Sequence, residues 1–365
     1  MFGADKKPER VSEADVIGAL SKVQEPELHR DLVTLNMIRN VQIDGGDVRF
    51  TVVLTTPACP LRGRIENETR AAVAALPGVE RVTVDFTSDV SRRFAGNAEP
   101  LIPGVRNVLA VASGKGGVGK STCAVNLAIA LAQSGARVGI LDADIHGPNV
   151  PLMMGVTRQP AKGPNDKMLP PVRYNVRMMS IAFFMTADTP AIWRGPMVHS
   201  AIQQFLRDVE WGELDYLVID LPPGTGDASL TVAQLLPSAR AVIVTTPQDV
   251  ALLDAGRSLA MFRKLNVPVL GVIENMSFFH CPHCGERTDI FGHGGGAAAA
   301  QEQELRFLGA IAIDPAIRLG GDSGKPVTVA DPDGATAASF RAVAAQVAAA
   351  ISVANATDEA PVIIG

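Results

Sequence analysis

Several things are scarce in this 365-residue sequence, and each scarcity excludes a class of protein. Aromatic residues make up only 5%, with two tryptophans and two tyrosines, so no stacking platform for nucleic acid is expected. Lysine and arginine total 33 against 38 acids, and the net charge of −5 argues against a nucleic-acid partner. No uninterrupted apolar run reaches the roughly 18 residues that suggest a membrane span. The opening "MFGADKKPER" has no apolar stretch behind its charges, so no signal peptide is expected and the expected compartment is the cytoplasm. Four cysteines are too few for a disulfide scaffold and suit thiols or metal ligands better. What is present is a 47% apolar, 19% charged composition, enough for a full core in two domains.

Residues 9–87 read as a small α/β unit. Ser12 and Asp15 open a capped helix, "GGDVRFTVVLTT" (45–56) is a turn and strand, "PLRGRIENETRAAVAAL" (60–76) a helix, and "VERVTVDF" (79–86) a strand. The polar, Gly- and Pro-bearing stretch 88–104 reads as a linker. From 105 to 355 the apolar runs "NVLAVAS", "RVGILDAD", "YLVIDLPP", "RAVIVTTP" and "VLGVIENM" alternate with helical segments, the first from about Gly119 to Gln133. Residues 356–365 are left as a tail. Continuous apolar strands imply burial on both faces, so the predicted fold class is α/β: a doubly wound, mostly parallel sheet preceded by the small α/β domain. Ligands of such sheets bind beyond the carboxyl ends of the strands.

Three stretches begin there. In "VASGKGGVGKST" (111–122), Gly114, Gly116, Gly117 and Gly119 let successive N–H groups point at a phosphate, and the helix that follows favours the same anion. Lys120 would neutralise the β- and γ-phosphates and the Ser121 hydroxyl would hold Mg²⁺, with Val118 and Thr122 completing the loop. In "LDADIHGPNVP" (141–151), Asp142 and Asp144 fall on one side of an extended strand and share work on metal and attacking water. "VIDLPPGTGD" (218–227) supplies Asp220 and a Gly/Pro loop placed to sense the γ-phosphate.

The runs "GKGGVGKS", "DADIHGPNVP", "DLPPGTGD" and "ENMS" resemble the Mrp/ApbC family of iron–sulfur carrier ATPases, within the wider MinD/ParA-type deviant phosphate-loop NTPases. The resemblance spans about 105–330. "EPEL" and "TTPACPL" are similar to the iron–sulfur-assembly domain often fused ahead of such ATPases. It implies a phosphate-loop ATPase with ATP and Mg²⁺ as cofactors. Lys115 is then the second lysine that reaches across a homodimer to the partner's nucleotide, as an arginine finger does. Asp144 would orient the attacking water, Asp142 and Asp220 would support the metal through water, and Asn275 would recognise the base. Catalytic roles thus fall on Lys115, Lys120, Asp144 and Asp220.

"HCPHCGERTDIFGHGGG" (280–296) sets Cys281 and Cys284 in C-x-x-C, half of a four-coordinate site. A redox pair, half a zinc ribbon and an incidental pair are the other readings of the spacing. His280 and His283 adjoin the cysteines, a poor position for closing a tetrahedron, and His293 sits in a glycine-rich loop. A second copy of the same pair is the simplest completion, and the resemblance implies that the four thiolates hold a bridging [4Fe–4S] cluster, delivered from a donor to apo-protein clients. Cys123 reads as a buried structural thiol. Cys59 precedes a helix start, where the dipole would lower its pKa; it is a candidate transient cluster ligand or docking thiol, against the alternative of a packed small residue. Glu25 and Glu27 read as surface and turn residues. The rival to the carrier is a MinD/ParA-like regulatory ATPase with a structural zinc site. The near-absence of basic residues in the tail after 335, which holds only Arg341, argues against membrane docking.

Overall fold

The computed structural model describes residues 11–91, 101–185 and 195–358. They group into two compact units, one of residues 11–91 with 352–358 and the other of residues 101–185 and 195–351. The predicted linker lies largely on 92–100, outside the described residues, as does most of the predicted tail.

The first unit opens on α1, Glu13–Leu20. Ser12 Oγ accepts the Asp15 N–H, and the Asp15 carboxylate accepts the Ser12 N–H at 3.0 Å, a closed capping box. Strands β1 (Ile38–Asp44) and β2 (Asp47–Leu54) form an antiparallel pair, and β3 (Arg81–Ser88) adds parallel to β2. Helix α2 (Arg62–Ala74) links β2 to β3 and turns Ile65, Thr69 and Val73, four residues apart, into the core. There Ile65 and Val73 meet Val16, Leu20, Phe50 and Val52. Strand β1 escaped the sequence reading because its ladder shifts register between Arg39 and Gln42, where Asn40 adopts φ 54°, and the shift breaks the alternation. The last turns of the closing helix, Ala335–Asp358, group with this unit, where Asn355 Nδ2 donates to Ser91 O and Oγ, both at 3.1 Å.

The second unit contains β4 (Val105–Ser113), α3 (Lys120–Gln133), β5 (Val138–Asp142), β6 (Val172–Arg173), β7 (Val176–Ser180), β8 (Leu214–Asp220), β9 (Arg240–Thr245), α4 (Asp249–Lys264), β10 (Val269–Glu274), β11 (Phe279–His280), β12 (Arg287–Thr288), α5 (Gly295–Glu302), β13 (Arg306–Ala310) and α6 (Pro315–Asp322). Among the described residues an eight-stranded sheet runs β6-β7-β5-β8-β4-β9-β10-β13, antiparallel only between β6 and β7. Every residue of β5, β8 and β9 is buried, as strands covered on both faces require. The strands stop at Asp142, Asp220 and Glu274, earlier than the apolar runs suggested. Asp144 therefore lies in the turn after β5, not on the strand face it was expected to share with Asp142. At the opposite end of the sheet, Arg137 donates to Asp215 from its backbone N (2.9 Å), Nε (3.2 Å) and Nη2 (2.8 Å), tying the start of β8 to the start of β5. The closing helix is long and apolar enough, by length and composition only, to cross a bilayer, yet 56% of that span is buried in the fold, as for a core helix.

Candidate nucleotide site and cysteine hairpin

The phosphate loop joins β4 to α3. Gly119, at φ 80°, is the N-cap of α3 and offers no side-chain cap, so the first-turn N–H groups stay open to an anion. Glycine is required here twice over, because a Cβ at Gly119 would also collide with the Asn275 amide. Asn275 Nδ2 donates to Val118 O at 2.9 Å, so the end of β10 braces the loop. A Cβ at Gly114 would overlap the backbone of Asp254 in α4.

Lys120 Nζ is 2.6 Å from Asp220 Oδ1, 3.2 Å from Ser121 Oγ and 3.8 Å from Asp144 Oδ2. The ladder aligns Asp220 with Asp142 on the neighbouring strand, which brings two carboxylates together at the sheet's carboxyl edge. Asp142 accepts from Ser180 Oγ at 2.9 Å and Val150 N at 3.2 Å, and its other oxygen accepts from Asp144 N at 3.3 Å. Burial, together with the Asp220 charge, pushes Asp142 up to about 8. Burial raises Asp220 as well, against the opposing pull of Lys120. Its Oδ2 is buried with no hydrogen-bond partner.

Above these residues opens a cleft of about 910 Å³. Its polar floor is the loop from Ser113 to Thr122 with Asp144. The rest of its lining mixes the apolar Met153, Ile290, Phe291, Ile313, Pro315 and Ile317 with the charged Asp314, Arg318 and Asp322. Lys115 lines the cleft, half-exposed, and its ammonium makes no ion pair among the described residues.

Cys281 and Cys284 sit at the tip of the β11–β12 hairpin, in which Phe279 faces Thr288 and His280 faces Arg287. Cys281 N donates to Glu286 O at 2.9 Å, and Gly285, at φ 74°, returns its N–H to Cys281 O at 2.8 Å. The Arg287 guanidinium lies over the Phe278 ring, 4.3 Å from its centre. Hydrogen bonds from the backbone of Cys284 and His283, then from the Cys284 side chain, hold the Cys281 thiol below the usual cysteine range. Two of the nearby histidines have other partners. His280 Nδ1 meets Gly285 O at 3.2 Å, and His293 Nδ1 meets Asp289 Oδ2 at 3.0 Å. Among the described residues no group of three or more His, Cys, Asp or Glu forms a metal-sized cluster.

The sequence profile of the NUBPL iron-transfer P-loop NTPases matches residues 104–348. The chain belongs to that family. A second profile, of iron-sulfur cluster assembly proteins, matches residues 13–86. The iron-sulfur cluster carrier protein of Synechocystis sp. is 50% identical over 344 residues, 93% of this chain and 98% of its own length. The carrier protein of Escherichia coli is 39% identical over 345 residues, 94% and 93% of the two chains. A nucleotide-binding protein of Archaeoglobus fulgidus, solved in complex with ADP and with cobalt found in it, is 39% identical with a TM-score of 0.56, covering 64% of this chain and 91% of its own. The Pyrococcus furiosus cell division ATPase MinD, 23% identical with a TM-score of 0.51 over 66% of this chain and 98% of its own, shares the fold.

Within this NTPase unit the structure gathers Lys115, Gly116, Gly117, Gly119, Lys120, Ser121, Thr122, Asp144 and Asn275 around one cleft, with Gly114, Val118, Asp142 and Asp220 outside its lining. Cys59 is half-buried in the other unit, and the expected lowering of its thiol does not occur. Burial, then the charges of Glu25 and Glu27, push it up, outweighing the N–H groups at the start of α2. Glu25 is itself buried, accepting from Glu27 N at 2.8 Å and Leu28 N at 2.5 Å, so it holds a turn from inside rather than at the surface. Cys123 is buried in α3, with its thiol pushed up to about 12 by burial and Asp220. Sequence reasoning missed Ser180, which orients Asp142, and Glu274. The first ends a short strand that carries a charge at its second residue, Arg177. The second opens "ENMS", next to Asn275, and its partner Gly296 lies 22 residues on.

Proposed function

We propose that this chain is an ATP-dependent carrier of iron–sulfur clusters, which binds a [4Fe–4S] cluster between the Cys281 and Cys284 thiolates of two copies and delivers it to apo-proteins. One observation carries this reading. A hairpin shaped to stabilise a thiolate presents two sulfurs at the surface, with no third ligand among the described residues, on the same unit as a phosphate-loop cleft. A closed zinc site would need two more ligands from the same copy, so a second copy is the simpler completion.

In the cleft, the open N–H groups of α3 and the Lys120 ammonium bind phosphate. Ser121, Asp142 and Asp220 would hold Mg²⁺, and the partnerless buried Oδ2 of Asp220 fits a cation. When bound, the ion offsets phosphate charge. Asp144 orients the attacking water, and Lys115 reaches from one copy to the other's nucleotide, so hydrolysis to ADP and phosphate and grip on the cluster depend on the same dimer. The N-terminal unit serves as a docking module for donor or client, with Cys59 as a candidate transient contact.

Anaerobic reconstitution with iron and sulfide tests this. Wild type should form a brown dimer holding about four irons, and Cys281→Ala/Cys284→Ala should lose both colour and iron. Zinc in place of iron, or iron binding that survives both substitutions, would sink the carrier and favour a zinc-stabilised regulatory ATPase.

A further inference from the structure

The loop between β10 and α5 carries the two thiols at its tip and lines the nucleotide cleft with both of its legs. On the outgoing leg these are Asn275 and Met276; on the returning leg, Ile290 and Phe291. One side chain joins the outgoing leg to the first turn of α5, into which the returning leg runs. Glu274, 1% exposed, accepts from Ser277 Oγ at 2.5 Å and from Gly296 N at 2.5 Å. A Cβ at Gly296 would press on this carboxylate, so the contact leaves no slack. The outgoing leg is also bent, since Met276 adopts φ 53°, a conformation that a side-chain-bearing residue holds only where its surroundings impose it. Ser277 N donates to Ile311 O at 2.9 Å, next to the wall formed by Ala312 and Ile313.

We propose that Glu274 is the positioning residue that couples the cleft to the Cys281–Cys284 hairpin. A base packed against Ile290 and Phe291 moves or stiffens the returning leg. The Glu274 clasp makes the outgoing leg follow, and the thiols at the tip change exposure within a single copy of the chain. Nucleotide thus acts on the hairpin through a contiguous, two-ended contact rather than only by bringing two copies together. This rests on the nucleotide reading of the cleft and says how it regulates the thiols.

The test uses full-length apo-protein without iron, following iodoacetamide labelling of Cys281 by peptide mass spectrometry, with and without Mg·ATP. Saturating nucleotide should slow labelling of wild type about fivefold or more. Ser277→Ala, which removes one end of the clasp, should reduce that protection to less than about twofold. Its nucleotide affinity, measured by calorimetry, should stay near wild type. Ser277→Thr, which keeps the hydroxyl, should restore the protection. Glu274→Gln is the second variant, expected to behave as Ser277→Ala. Labelling of wild type that ignores nucleotide overturns the coupling. Protection that persists in both Ser277→Ala and Glu274→Gln overturns the clasp and assigns it to burial between two copies. Since no iron is present, either failure leaves the carrier reading to its own iron-content experiment.

Discussion

Lys120 Nζ lies 2.6 Å from Asp220 Oδ1, with Lys120 only 6% exposed and Asp220 wholly buried. Neither charge is tolerable there alone. Lys120→Ala should therefore do two things at once. It should abolish nucleotide binding, and it should lower the stability of the nucleotide-free protein by about 3–5 kcal/mol, the usual cost of stranding a buried charge. Adding Asp220→Asn to Lys120→Ala should recover part of that stability. Urea unfolding of the two variants checks this, and a double variant no more stable than the single one would contradict it.

Two glycines make a matched pair for substitution. Gly119→Ala forces a Cβ into the Asn275 amide at φ 80°, and a loss of roughly 1–3 kcal/mol is expected, with nucleotide affinity falling as the loop shifts. Gly63→Ala, in α2 with nothing within 4 Å of the new carbon, should be stabilising by about 0.5–1 kcal/mol. Melting curves of both variants read the contrast directly.

The three thiols whose acidity the fold shifts should separate by pH. Cys281 is held below the usual cysteine range and should label with iodoacetamide at lower pH than an unperturbed thiol. Cys59 is pushed up by burial and by Glu25 and Glu27, and its labelling should rise only at higher pH. Cys123, near 12, should remain unlabelled until the protein unfolds. Peptide-resolved labelling rates across a pH series test the order.

Acid should act on the far end of the sheet. Although burial pushes the Asp215 carboxyl up, its hydrogen bonds to Arg137 and the charges of Arg137 and Arg106 hold it below the usual range. A depressed carboxyl contributes its full stability above its unfolded pKa, and loses it as pH falls through the folded value. Asp215→Asn should be destabilised at neutral pH and should show a smaller further loss on acidification than wild type. Parallel pH-dependent unfolding curves would contradict this.

Much of the candidate nucleotide site was legible because its chemistry is local in sequence. A phosphate loop needs its glycines, lysine and hydroxyl within nine residues, and the ends of β5 and β8 announced themselves as apolar runs closing on aspartate. What escaped depends on neighbours brought in by the fold. Nothing in "VRMMS" says that Ser180 will stand beside Asp142 through the β5–β7 ladder, and nothing around Cys59 says that Glu25 will oppose its thiolate. The placement of Asp144 failed for a smaller reason: periodicity shows that a strand exists better than it shows where it stops.

The β11–β12 hairpin has a further consequence. Metal knuckles that lack structure of their own collapse when emptied, and must refold to be filled again. Here the backbone pairs, the Gly285 turn and the Arg287–Phe278 stack hold the tip in shape without any metal. If the two thiols hold the proposed cargo, handing it over would break sulfur–metal bonds and little else, and the emptied hand would stay open for the next load.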